Sequence, residues 1–183
     1  HGQFYIMLNQ LTSQDDHSYA LDIFDQQQLN IDFSGSGSLS KFRKNLELYD
    51  RHHGKNTTIV MGDSLDSNLL LNYPLAPGSL KFISVDGGHA KEHTVNDLKL
   101  AEKYISNEGV VILDDILNPH WLGVIEGFFA FMATTPALVP FAVGHNKLFL
   151  CKLSFQRIYL EAVVADGLGE SRTALCGYPI ACL

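Results

Sequence analysis

Four residues able to handle a proton or a metal ion fall at two points of the chain: Asp86 with His89 three positions on, and the adjacent pair Asp114-Asp115. Carboxylates gathered in one place repel one another unless something positive joins them. A divalent, oxygen-seeking ion such as Mg²⁺ takes a few carboxylates and fills its remaining positions with water or substrate oxygens. Such a cluster suits activation of a hydroxyl, with the imidazole of His89 placed to take the proton, since imidazoles titrate near working pH. A lone Asp at a strand end more often starts or caps a turn, and a helix-start His can simply point to solvent. Three carboxylates on matched strand ends favour the site.

The elements that must position these groups are legible around them. LKFISVD (80–86) is a short β-branched and aromatic run bounded by Gly87 and Gly88, and GVVILDD (109–115) is a uniformly apolar run of the kind buried on both faces of a parallel sheet. Between them HTVNDLKLAEKYI places Val95, Leu98, Ala101 and Ile105 at helical spacing, with Asn107-Glu108-Gly109 as a stop. A right-handed crossover lays the two strands parallel and brings their carboxyl ends to one edge, where ligands of open α/β sheets bind.

Elsewhere the chain repeats the βα pattern. It starts at His1 on what reads as a helix, with Phe4, Met7, Leu8 and Leu11 on its apolar side. A βα unit needs a strand before that helix, so the expectation is a fragment whose first strand lies upstream and pairs between the strands ending at Asp22 and Asp86. HSYALDIF (17–24) is a strand ending near Asp22 and Asp25, where an acidic residue can accept hydrogen bonds from a ribose diol. The polar stretch 26–40 reads as a mobile loop, and KFRKNLELYDRH as an amphipathic helix with Phe42, Leu46 and Tyr49 inward. NTTIVMGDSLD is a strand with a Gly-Asp-Ser turn, and SNLLLNY a short helix. After Asp115 come a loop with His120 and Trp121, a helix through Val124, Phe128 and Phe131, and the strands LVPFAVG and KLFLCKL joined by His145-Asn146 as an antiparallel hairpin. The tail reads as a helix to Asp166, a turn and an extended end.

At 183 residues the chain suits one domain, and 46% hydrophobic with 18% charged residues marks a globular protein. A net charge of -7, with no run among 13 Lys and Arg, argues against a nucleic-acid partner. A small-molecule acceptor fits better. The longest apolar tract is broken by two threonines and two prolines, so no membrane span is expected. Cys151, Cys176 and Cys182 form an odd set without a CxxC, which points to a reducing cytoplasm, with a Cys176–Cys182 bridge as the lesser alternative. A homo-oligomer is compatible with all of this.

Taken together, ALDIFDQQQLNIDFSGSG, VMGDSLD, ISVDGGHA, VVILDD and NPHWLGVIEGFF, in this order and spacing, resemble class I S-adenosylmethionine-dependent methyltransferases, in the group related to macrocin-type sugar O-methyltransferases and, more distantly, catechol O-methyltransferase. The resemblance covers roughly residues 1–152. It implies an α/β fold, a doubly wound, mostly parallel, Rossmann-like sheet with a C-terminal antiparallel hairpin. It implies that His1 and Gly2 are the remnant of the glycine turn beside the methionine part of S-adenosylmethionine. Asp22 then holds the ribose hydroxyls, and Asp63 and Ser64 border the adenine. Asp86, Asp114 and Asp115 match the metal triad of the Mg²⁺-dependent members, although the third ligand is Asn in catechol O-methyltransferase, and Asp86 with His89 would serve catalysis. His93 is expected on the surface, and His120 and Trp121 wall the acceptor pocket unless Trp121 joins the core. Two readings compete with a metal-assisted O-methyltransferase: a metal-independent one, with His89 alone as base, and a non-catalytic nucleotide-binding module of the same fold.

Overall fold

A computed structural model describes residues 2–183, arranged as two compact units that divide between Tyr73 and Pro74. His1, expected in the cofactor turn, lies outside the described residues.

The first unit holds helices α1 (Gln3–Asn9) and α2 (Leu39–Tyr49) and strands β1 (Ser18–Asp22) and β2 (Thr57–Met61). The strands pair in parallel and in step, from Ser18 opposite Thr57 to Asp22 opposite Met61. The Ser38 hydroxyl accepts the Lys41 N–H and starts α2. Phe42 and Leu46 of that helix are buried with Ile6 and Phe24, and the Phe42 ring meets Tyr5 edge-on at 5.5 Å. Two apolar faces read from the sequence differ here. Tyr5 and Ile6, not Met7 and Leu11, make the packed side of α1, and Tyr49 is exposed at the end of α2. The stretch 67–73 is a series of turns rather than a helix. Asp66 Oδ1 accepts the Asn68 N–H, and successive i to i+3 bonds run to Tyr73, just before Pro74.

The second unit contains β3 (Leu80–Val85), α3 (Lys91–Tyr104), β4 (Ile105–Leu113), α4 (Leu122–Met132), β5 (Leu138–Gly144), β6 (Lys147–Lys152), α5 (Gln156–Ala165), β7 (Glu170–Leu175) and β8 (Tyr178–Cys182). The sheet order is β3-β4-β6-β5-β8-β7. β3 and β4 are parallel neighbours, as the βαβ reading requires, and β6 inserts antiparallel between β4 and β5. The hairpin turn is His145-Asn146, both left-handed at φ 51° and 63°, the geometry that matches strand twist in a two-residue loop. Val111 and Leu113 of β4 pack with Phe128 and Phe131 of α4 and Leu98 of α3. Val110 points the other way, into a cluster with Phe141, Cys151 and Tyr159 of α5. Helices therefore cover both faces, and the α/β reading holds with a mixed sheet. Burying one such Phe contributes roughly 1.5–3 kcal/mol, so these side chains fix the sheet that carries the carboxylates.

Two features were not foreseen. β4 begins at Ile105, directly after α3, so the Asn107-Glu108-Gly109 stop lies inside the strand. The tail is a second hairpin, β7–β8, whose inner strand joins β5 through only two paired positions, Ala142 with Ala181 and Val143 with Cys182. Pro140 offers β5 no N–H in this region, and Gln156 bridges the gap by donating to the carbonyls of Pro140 (3.4 Å) and Pro179 (2.6 Å). All three cysteines are free thiols; Cys176 sits at the hairpin turn and Cys182 at the far end of β8, so the alternative bridge is not formed. Burial pushes the Cys151 thiol up to about 12, which makes it inert. Among the described residues, no helix is long and apolar enough to cross a membrane.

Candidate active site

Parallel pairing sets the carboxyl ends of β3 and β4 side by side. Val85 lies opposite Leu113, and the ladder runs one step further through a bond from the Asp114 N–H to the Val85 carbonyl at 2.9 Å. Asp86 and the Asp114-Asp115 pair thus leave the sheet at one place. Oxygen or nitrogen atoms of Asp86, His89 and Asp115 all lie within 4.8 Å of one another. His89 Nε2 is 3.1 Å from Asp115 Oδ2, and the imidazole is largely buried beneath the Trp121 ring, stacked at 4.4 Å between centroids and 17° between planes. A neutral imidazole that donates Nε2–H to this carboxylate has its lone pair on Nδ1. Trp121 is thereby a partner of the imidazole, and it also packs against the hydrophobic core of this unit, the alternative its sequence position allowed.

Asp115 adopts φ 59°, the left-handed region that is costly for a residue with a Cβ. Its Oδ1 accepts two amide donors that hold it there, Asn118 Nδ2 at 2.8 Å and Asn146 Nδ2 at 2.7 Å. Asp114 is turned elsewhere. Its Oδ1 accepts the Asp115 N–H at 2.8 Å, and its Oδ2 is ion-paired with Lys147 Nζ. The three-aspartate set expected from the sequence is therefore present as neighbours, while the closest grouping places His89 where Asp114 was expected. Asp86, although exposed, has its carboxyl pushed above the usual carboxylate range, first by partial loss of water around it and then by the charges of Asp114 and Asp115.

Packing beneath the cluster depends on one close approach. A Cβ on Gly123, in the first turn of α4, would lie 2.3 Å from the His89 carbonyl oxygen and 3.0 Å from the Lys91 nitrogen. Only glycine lets α4 reach the segment that carries His89. His93, expected on the surface, is buried, because the glycine backbone at 88 lies against its ring. His120 is exposed and makes no ring contact like that of Trp121.

The first unit carries its own acidic edge. Asp22 ends β1, and its Oδ1 accepts the Phe24 N–H at 2.5 Å; Asp63 follows β2, its Oδ1 accepting the Leu65 N–H at 2.9 Å. The Gly62 N–H donates to the Asp22 carbonyl at 3.1 Å, so the two turns start from adjacent strand ends, with Ser64 in the second. Asp25 Oδ2 accepts the Leu39 N–H at 3.0 Å and so ties the loop to the start of α2. Gly2 stands at φ 76°, and a Cβ there would enter the Phe42 ring at 2.3 Å.

Sequence reasoning missed Lys147, Asn118 and Asn146. The signal for Lys147 lay in the hairpin: once β6 is placed antiparallel to β4 with Leu148 opposite Leu113, the next step brings Lys147 to Asp114. Asn118 and Asn146 carried only the ordinary signature of turn residues.

Residues 1–116 match the family model described as a methyltransferase domain. An uncharacterized protein, R132 of Acanthamoeba polyphaga mimivirus, is 24% identical over 86 residues, spanning 47% of this chain and 38% of that protein. Among solved structures, the O-methyltransferase NovP superposes with a TM-score of 0.64 at 17% identity, covering 80% of this chain and 66% of NovP. CalS11, a TDP-rhamnose 3'-O-methyltransferase of calicheamicin biosynthesis, gives 0.58 at 16%, covering 80% and 65%. The chain thus spans less than two thirds of each of these proteins, and the structural likeness speaks for the fold. With the family model running over more than half of its length, the chain belongs to the methyltransferase-domain family, and these O-methyltransferases share its fold.

Proposed function

We propose that the chain catalyses S-adenosylmethionine-dependent O-methylation of a hydroxyl on a sugar or another small polyhydroxylated molecule, with both units belonging to one methyltransferase domain. The observation that carries this reading is the convergence of Asp86, His89 and Asp115 beyond the carboxyl ends of β3 and β4, in a chain whose family match runs through both strands. The net charge of -7 supports a small-molecule acceptor over a nucleic acid, and three free cysteines suit a reducing cytoplasm.

In this reading Asp22 accepts the ribose hydroxyls through the carboxylate oxygen not used by Phe24, Gly2 lies against the methionine part, and Asp63 and Ser64 border the adenine. The cofactor supplies a methyl sulfonium, an electrophile that needs in-line placement more than activation. His89, oriented by Asp115 and held flat by Trp121, takes the proton as the acceptor oxygen bonds to the methyl carbon. The carbon–sulfur bond breaks with its electron pair going to sulfur, which leaves as a neutral thioether. Trp121 shields the imidazole from water on one face.

The donor set fits a divalent ion. Two carboxylates and an imidazole lie within 4.8 Å, hard oxygens that suit Mg²⁺ and a nitrogen that Mn²⁺ accepts readily, and the crowding that raises the Asp86 pKa is of the kind a cation relieves. Asp86 and Asp115 would hold such an ion, with Asp114 as the adjacent third carboxylate, and when bound it would supply Lewis acidity to an acceptor hydroxyl. One observation favours metal-independent transfer instead: Asp114 is already neutralised by Lys147, and the His89–Asp115 pair can act as a base unaided. A single assay separates these readings. Methyl transfer from labelled S-adenosylmethionine to a panel of glycosides and catechols is measured with Mg²⁺ and with chelator. Transfer to a glycoside that chelator abolishes is expected; transfer indifferent to chelator selects the metal-independent reading. A protein that binds S-adenosylmethionine but methylates no small molecule would refute the proposed function.

A further inference from the structure

The β5–β6 hairpin brings a positive charge to the acidic cluster. Lys147 is the first residue of β6, and the antiparallel register that sets Leu148 opposite Leu113 presents it to Asp114. Its ammonium meets Asp114 Oδ2, both side chains being mostly buried, while Asp114 Oδ1 is taken by the Asp115 N–H. Both oxygens of Asp114 are therefore engaged. Asp86 and Asp115, by contrast, have oxygens in a common space with His89.

We propose that Lys147 is a built-in competitor for the divalent ion: it holds Asp114 in the metal-free protein, and a site of three carboxylates forms only when its ammonium yields Asp114 to the incoming cation. This rests on the metal-assisted reading above. The pair solves an electrostatic problem, because three carboxylates at two neighbouring strand ends need a counter-charge when no ion is bound. It also sets affinity, since the ion must displace one positive charge and then sit near it. Lys147 is a positioning residue in this scheme and touches no reacting atom.

The test is calorimetric titration of Mg²⁺ and Mn²⁺ into the full chain, without cofactor or acceptor, for the wild type, Lys147→Met, Asp114→Asn and the double variant. Loss of one positive charge a few ångströms from a divalent ion should tighten binding about tenfold or more in Lys147→Met. The gain from removing Lys147 should be smaller in the Asp114→Asn background, because the part of it that acts by releasing Asp114 is absent there. A lysine that merely supported the fold would leave affinity unchanged or weaken it when removed. Lys147→Gln repeats the measurement should the Met variant melt early, and Lys147→Arg, which keeps the charge, should bind as the wild type does. Wild-type binding that Lys147→Met and Lys147→Gln leave equal or weaker overturns the competitor role while the metal reading stands. Absence of binding in every variant with both ions overturns both.

Discussion

Asn146→Ala tests whether the hairpin turn holds Asp115 in its strained conformation. Asn146 is left-handed at φ 63°, donates Nδ2 to Asp115 Oδ1 at 2.7 Å, and accepts the Leu117 N–H on Oδ1 at 2.9 Å. Alanine removes both bonds. The first, to a carboxylate, is worth about 1.5–3 kcal/mol, whereas the second is replaced in part by water, since Leu117 is exposed. Alanine also pays roughly 1 kcal/mol to occupy the left-handed region, which asparagine tolerates better. The expected loss is about 2–4 kcal/mol in urea denaturation, at unchanged dependence on denaturant. Asn146→Gly loses the same bonds without the backbone penalty, so it should recover about 1 kcal/mol of that loss. An alanine variant within about 0.5 kcal/mol of wild type, or a glycine variant no better than alanine, would refute the reasoning.

Gly123→Ala should cost about 1–3 kcal/mol in thermal melts and lower methyl transfer more than cofactor affinity, because its Cβ would force α4 away from the His89 carbonyl; a variant with wild-type melting and turnover would show that the approach is relaxed. Asp86→Asn should stabilise the metal-free protein at neutral pH. A carboxyl whose folded pKa is raised keeps its proton longer in the native state, so stability falls as pH rises from its ordinary value of 3.8 through the raised one. The gap between the variants should close on acidification toward 3.8, and a gap of opposite sign would remove the crowding argument. Asp22→Asn keeps an oxygen for the Phe24 N–H but loses its charge, and should weaken S-adenosylmethionine binding by about 1–3 kcal/mol in calorimetry. Unchanged affinity would move the ribose contact to Asp25.

Much of the second unit was legible because its signals are local. The apolar run before Asp114 and the helical spacing from Val95 to Ala101 each identify one element, and a parallel crossover then brings Asp86 and Asp114 to one edge. The two-residue gap at His145-Asn146 likewise gave the β5–β6 hairpin. What escaped depends on contacts between elements distant in sequence. His93 is buried because glycine backbone closes on its ring, and Asp114 turns from the cluster because Lys147, 33 residues on, arrives by strand register. The SNLLLNY stretch misled because its leucines mimic helical spacing, while Asp66 and Asn68 prefer local turn bonds. The second hairpin was hidden because β7 is exposed along nearly its whole length and shows no alternation.

The two-rung seam between β5 and β8 gives the second unit a hierarchy of opening. β4 and β6 are tied by four successive paired positions in the middle of the sheet, whereas the backbone of β8 is paired with β5 through Ala142, Val143 and the Leu183 N–H. In native-state hydrogen exchange, the amides of β7 and β8 should open together as a low-energy foldon, at a free energy well below that of β4. Gln156 is the rivet of that seam, so its replacement by Leu should speed exchange of the hairpin while leaving β3 and β4 protected. The strand ends that present Asp86 and Asp115 would then keep their geometry while the far edge of the sheet breathes.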